Sequence, residues 1–343
     1  VTTANTHDSD FLDWQSARWW AATLTPAGPT VTKNQAVRVA SLLRQAAAEA
    51  PSVVATVTGL HQASESAASF PRLVVDRGGW AQANVEMFAA MTSQHVPRAS
   101  NVAVQQGAAL ELGGLLGVLA TRVLGQFDPF SSRLLLVAPN IINTRRQLGV
   151  DEAQFGAWVA LHEQTHAVQF AAAPWLSGYL EQELAGMLDS VASDYSARVW
   201  STARNLPRAI RNHRNSTAGI ITEAALTPQE IARLSRVVAV MSMLEGHADV
   251  VMDSAKEFVP QTPKIRAAFT QRRVDPGLRE VFLRKLIGLD AKLRQYRDGA
   301  VFVNRVVDLV GHEGFNRVFE SPDNLPTPQE ISSPDMWVQR VGR

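Results

Sequence analysis

No cysteine occurs among the 343 residues. Disulfides and thiolate metal sites are thereby excluded, and any metal must be held by His, Asp or Glu. Net charge is almost absent as well, because 33 Lys and Arg against 32 Asp and Glu leave +1. Nothing in that balance draws the chain to nucleic acid or to a charged membrane surface. Long hydrophobic runs are missing too. The richest apolar stretch, 107–125, is interrupted by Glu111 and Arg122. The uncharged run between them is too short to span a bilayer. It reads instead as a buried core helix whose Gly113, Gly114 and Gly117 allow close packing. The first ten residues are polar and carry no Lys or Arg, so no secretory leader is expected and the cytoplasm is the expected compartment. The composition is that of an ordinary globular protein with ample length for a core.

The pattern along the chain is mostly helical. Phe11, Trp14, Trp19 and Trp20 form an aromatic cluster after a polar start. Helices are expected over 32–50, 80–92, 107–124, 150–172 and 180–200, with a stretch set off by Pro51 running toward Gly59. The C-terminal part, 276–317, reads as helical and amphipathic. Thr227-Pro228-Gln229-Glu230 carries the residues of a capping box with proline at the first helical position. The same four residues recur at Thr327-Pro328-Gln329-Glu330, which reads as repeated capping chemistry, since the residues after each box do not match. One short apolar run, Leu134 to Ala138, is bounded by Ser131, Ser132 and Pro139 and fits a buried strand. Such a strand either offers an edge to an extended peptide or serves only the core. Arg198, Arg204, Arg208, Arg211 and Arg214 suggest an exposed basic connection, and the basic excess over 261–300 a solvated face. The expected fold class is therefore mainly α (α+β) with a small sheet. It divides into an N-terminal helical layer (1–130), a core (131–260) and a C-terminal helical region (261–343), joined in one integrated unit.

The chemistry concentrates at His162-Glu163-Gln164-Thr165-His166. Two histidines four apart on a helix lie about 400° apart, so both rings leave one face and can bind one metal ion. Glu163, next to the first, is placed to act as general base on a water at that ion. Apart from Glu163 no Asp, Glu, Lys or Arg lies between Glu152 and Glu181, so this helix reads as buried, and buried ionisable groups need partners.

Catalytic zinc takes three protein ligands and keeps one position open. Gln169 and Ala172 break the extended motif that would supply a third histidine. The favoured third ligand is Glu245, in a stretch that is apolar on nearly every face. Glu181 and Glu183 compete for the role, with Asp189 and Asp194 behind them. Asp249 follows Glu245 by four residues, as in zinc peptidases whose third ligand is a glutamate. There the aspartate holds a histidine ligand through its other ring nitrogen. His247 lies about 200° around the helix from Glu245. It is read either as supporting another residue of the site or as a donor to the oxyanion formed during attack.

Several segments together resemble a known family. They are HEQTHAVQF at 162–170 with PWL at 174–176, MLEGHADVVMD at 243–253, TRVLGQ at 121–126, LRQYR at 293–297 and ESPDNLP at 320–326. They are similar to the zincin-like, zinc-dependent metallopeptidases associated with deazaflavin-coenzyme biosynthesis. The resemblance implies a zincin-like helical core with a small sheet beside the motif helix. It also implies Zn2+, with His162 and His166 as ligands, Glu163 as base and support for Glu245. The expected function is a zinc-dependent metallopeptidase acting on a peptide or small amide, without nucleic-acid or membrane partners. The alternatives are a zinc hydrolase of a small amide or ester metabolite, or a non-catalytic zinc-stabilised scaffold.

Overall fold

The structure is a computed structural model that describes residues 12–92, 102–186, 227–272 and 299–342. The basic connection at 198–214, Asp189, Asp194 and most of the 261–300 basic segment lie outside the described residues. So do Phe11 and the LRQYR segment.

Helix α1 (Trp14–Thr23) starts at Asp13, whose carboxylate accepts from the N–H groups of Gln15 and Ser16. Helix α2 (Lys33–Thr58) runs through Pro51 to Gly59, which ends it at φ 75°. The interruption expected at Pro51 does not occur. A proline inside a helix costs about 3 kcal/mol. Here Pro51 is buried among Ala47, Ala50 and Val54, which join the main core on both sides of it. Helix α3 (His61–Ala68) comes next, then β1 (Arg72–Val75), α4 (Arg77–Thr92), α5 (Val102–Leu119), β2 (Gly125–Asp128) and β3 (Arg133–Val137).

The three strands form one sheet in the order β1-β3-β2, with β1 parallel and β2 antiparallel to β3. The apolar run is thus the central strand. Leu134 and Leu136 point with Phe127 into the main core, while Leu135 and Val137 point into the cluster holding Trp80 and Leu116. Burial on both faces explains why the run lacks polar alternation. Paired on both sides, β3 has no free edge, and the edge strand on its antiparallel side is β2.

Helix α5 departs from the expectation of a fully buried element. Gly113 lies against α1 so closely that a Cβ there would stand 2.9 Å from the Ala21 nitrogen and 3.0 Å from the Ala17 oxygen. Its far side nevertheless exposes Leu110, Leu115 and Val118. It is a helix of the outer layer. Among the described residues no helix is long and apolar enough to cross a membrane.

Helix α6 (Ala138–Leu148) leads into α7 (Glu152–Ala172), capped by Asp151, which accepts from the Gln154 N–H at 2.9 Å. A further helical stretch is described over 176–186. Helix α8 (Pro228–Ser254) begins with a complete capping box between Thr227 and Glu230. Its middle is buried from Val237 to Met252, with Glu245 and Asp249 among the residues left partly exposed. Then come α9 (Thr262–Arg272) and α10 (Gly299–Asn316), the latter kinked at Gly311. Gly246 of α8 and Gly299 of α10 meet backbone to backbone with no room for a Cβ on either. Two short helices, α11 (Pro328–Ser332) and α12 (Pro334–Val341), close the chain, and α11 starts with the second capping box, Thr327 with Glu330.

Candidate metal centre

Helix α7 carries the site because it is packed on several sides. Phe155, Ala160, Leu161 and Val168 are fully buried with Leu43 of α2 and Ala67 of α3 in the main core. That packing fixes the helix rotation and turns the remaining stripe, His162 and His166, toward α8. The two Nε2 atoms stand 3.2 Å apart. Glu245 of α8 brings Oε2 to 3.4 Å from His162 Nε2 and Oε1 to 3.6 Å from His166 Nε2. Among the described residues, these three form the group of side chains that could hold a metal ion. The fit can be tested on distances. Ligand atoms about 2.0–2.1 Å from a tetrahedral ion lie about 3.3 Å from one another. The Nε2–Nε2 separation, and the distance from each ring to one or the other Glu245 oxygen, are close to that value, and two imidazoles with one carboxylate are a donor set suited to zinc. The three side chains are 9%, 12% and 22% exposed, so the centre is recessed but not sealed.

Glu163, the next residue along α7, is also buried. Its carboxyl lies directly under the backbone of Gly125 at the start of β2. A Cβ on Gly125 would stand 2.5 Å from Glu163 Cγ and 3.0 Å from Oε1. The carboxylate therefore packs against the face of β2 at Gly125, and only glycine permits the approach.

With that geometry in view, the comparisons are specific. The zincin-like metallopeptidase family matches residues 12–338. The chain belongs to this family. A solved structure, titled "Crystal structure of a putative hydrolase with a novel fold from Chloroflexus aurantiacus", is similar at 29% identity and a TM-score of 0.67. The similarity spans 97% of this chain and 99% of that one. A search of curated proteins gave no match.

The surroundings of this zincin-like centre differ from the sequence expectation at several residues. Asp249 does not hold a histidine ligand. It faces Arg266 at 3.5 Å, and the same guanidinium donates to the Asp249 carbonyl at 3.0 Å and to Asp253 at 2.6 Å. The buried Nδ1 of His162 has no hydrogen-bond partner among the described residues. The group beside His166 Nδ1 is Gln169, whose Oε1 lies 2.8 Å away. Gln169 also donates to the Leu244 carbonyl at 2.8 Å and reaches His247 Nδ1 at 3.0 Å. The signal for it in the sequence is a polar residue one turn beyond His166 in a buried helix. Spacing alone marks it only as the residue that breaks the extended motif.

His247 lies outside the metal group. Its fully buried ring packs at 4.9 Å from Phe315 and 5.8 Å from Phe319. Burial, with smaller contributions from His312 and His166, pushes its pKa down to about 3, so it is neutral at ordinary pH. The competing ligands among the described residues, Glu181 and Glu183, are also outside the group. Glu183 is paired with Arg236 at 2.8 Å and with Arg233 at 3.6 Å, and Glu181 is not near enough to join. Gly125 falls in the TRVLGQ segment of the family resemblance, but only the folded sheet shows that it lies over Glu163.

Proposed function

We propose that the protein is a zinc-dependent hydrolase that cleaves peptide bonds. The observation that supports this reading is the convergence of His162, His166 and Glu245 on one point, with Glu163 following His162 in the chain. His162, His166 and Glu245 would hold zinc, which when bound acidifies water and polarises a substrate carbonyl. Glu163 takes the proton from the attacking water and delivers it to the leaving amine nitrogen. The Gly125 backbone above Glu163 restricts where that carboxylate can go.

The position of β2 favours a peptide over a small amide or ester. It is an edge strand of the sheet and lies against the proposed base. An extended chain pairing along it would lie beside the strand that covers the carboxylate. A non-catalytic structural site would call for a fourth protein ligand. His247 is the residue the sequence offers for that, and among the described residues it is not part of the group that could hold an ion. The resemblance to proteins associated with deazaflavin-coenzyme biosynthesis adds no residue to this site, and the reading does not depend on it.

The test is a mixed peptide library digested by zinc-loaded protein beside a chelator-stripped sample, with products read by mass spectrometry. Cleavage that requires zinc and returns on its re-addition is expected. Cleavage that persists after stripping would overturn the reading. Intact peptides alongside turnover of small amides or esters would replace the peptide substrate with the small one.

A further inference from the structure

Gln169 is fully buried, and its amide meets three groups at once. These are His166 Nδ1 at 2.8 Å, the Leu244 carbonyl oxygen at 2.8 Å and His247 Nδ1 at 3.0 Å. A carbonyl oxygen can only accept, so the NH2 end of the amide lies on Leu244. The amide oxygen is then the end that meets His166, and it can only accept. His166 Nδ1 must therefore carry the ring proton, which leaves Nε2 with a lone pair. That Nε2 is the atom facing His162 and Glu245. The second hydrogen of the amide points to His247 Nδ1, which must accept it.

We propose that Gln169 is the positioning residue of this centre. It holds His166 in the tautomer that ligates through Nε2, and it straps α7 to α8 at the carbonyl of the residue before Glu245. The role needs an amide. A carboxylate at this position accepts from His166 but repels the Leu244 carbonyl and has no proton for His247. An apolar side chain does neither. The structure gives this task to Gln169, while Asp249 is turned to Arg266. The ligand half of the proposal rests on the zinc reading above, and the tautomer half does not.

The experiment uses metal-stripped full-length protein. Long-range proton–nitrogen NMR of the histidine side chains reads the tautomers, with His166→Ala assigning the signal. Zinc affinity is measured separately by chelator competition. Wild type is expected to show His166 protonated at Nδ1. Gln169→Leu is expected to lose that preference and to bind zinc about 10- to 100-fold more weakly. Gln169→Glu is expected to keep the Nδ1–H tautomer, which a merely space-filling role for residue 169 does not predict. If Gln169→Leu fails to fold, Gln169→Glu carries the test. His166 protonated at Nε2 in wild type overturns the proposal, as does Gln169→Leu with unchanged tautomer and affinity. Absence of zinc binding in wild type with the tautomer as expected sinks the zinc reading and leaves the positioning of His166 standing.

Discussion

Glu245 and Glu330 both sit on helices that begin with Thr-Pro-Gln-Glu, and both are drawn into the protein, yet they face opposite chemistry. The Glu330 side chain is 6% exposed and is met by donors of its own chain. Arg340 donates to its two oxygens at 2.7 and 2.9 Å, and the Thr327 backbone N–H donates at 2.8 Å. Glu245 instead points its oxygens at two imidazole nitrogens, 3.4 and 3.6 Å away. A carboxylate presents lone pairs, and a neutral imidazole presents one on the nitrogen that lacks the proton, so the three together can share a cation. Burial of a carboxylate is therefore not in itself a mark of function. What it faces is.

Glu163 extends the comparison to a third carboxylate, buried and outside the group that could hold an ion. Glu163→Gln keeps the shape and removes the base. Turnover is expected to fall about 10³-fold with zinc content unchanged, measured by kcat beside metal analysis. Wild-type turnover in that variant would sink the assignment. A smaller effect is expected from Gly125→Val. Its side chain must displace Glu163, and a misplacement of about 1 Å costs about 10²-fold in kcat. Zinc content should again be unchanged, because the atoms nearest a Cβ on Gly125 all belong to Glu163.

The smallest effect belongs to the structural carboxylate. Burial acts to raise the Glu330 pKa, but the hydrogen bonds from Arg340 and Thr327 outweigh it and hold the value below normal. A depressed folded-state pKa stabilises the protein above the unfolded pKa and ceases to do so as pH falls through the folded one. Glu330→Gln should lower stability by about 1–2 kcal/mol near pH 7 in denaturant titrations. The difference from wild type should vanish in acid, below the ordinary carboxylate range, and zinc should stay bound. Loss of zinc from this variant would break the contrast with Glu245.

Much of this was legible in local sequence. Both capping boxes form where Thr227 and Thr327 indicated, and α7 ends just before Pro174. His162, Glu163 and His166 declare themselves by spacing, since a helix turns neighbours four apart to one face. Glu245 is legible from a distance of 79 residues only because a charge in an apolar helix needs an explanation. The misses share a cause. β1 and β2 are four residues each, and what makes them strands is pairing with β3. Gln169 and Gly125 have roles defined by groups on other elements. The same is true of Asp249, which meets Arg266 on α9. The helix at Pro51 persists because burial on either side outweighs a local penalty.

The central claim is that His162, His166 and Glu245 hold one zinc ion. Metal analysis of purified wild type beside His166→Ala and Glu245→Ala, each shown to be folded by circular dichroism, tests it most directly. About one zinc per wild-type chain, lost in both variants, is the expected result. Zinc retained at full stoichiometry in folded Glu245→Ala would contradict it.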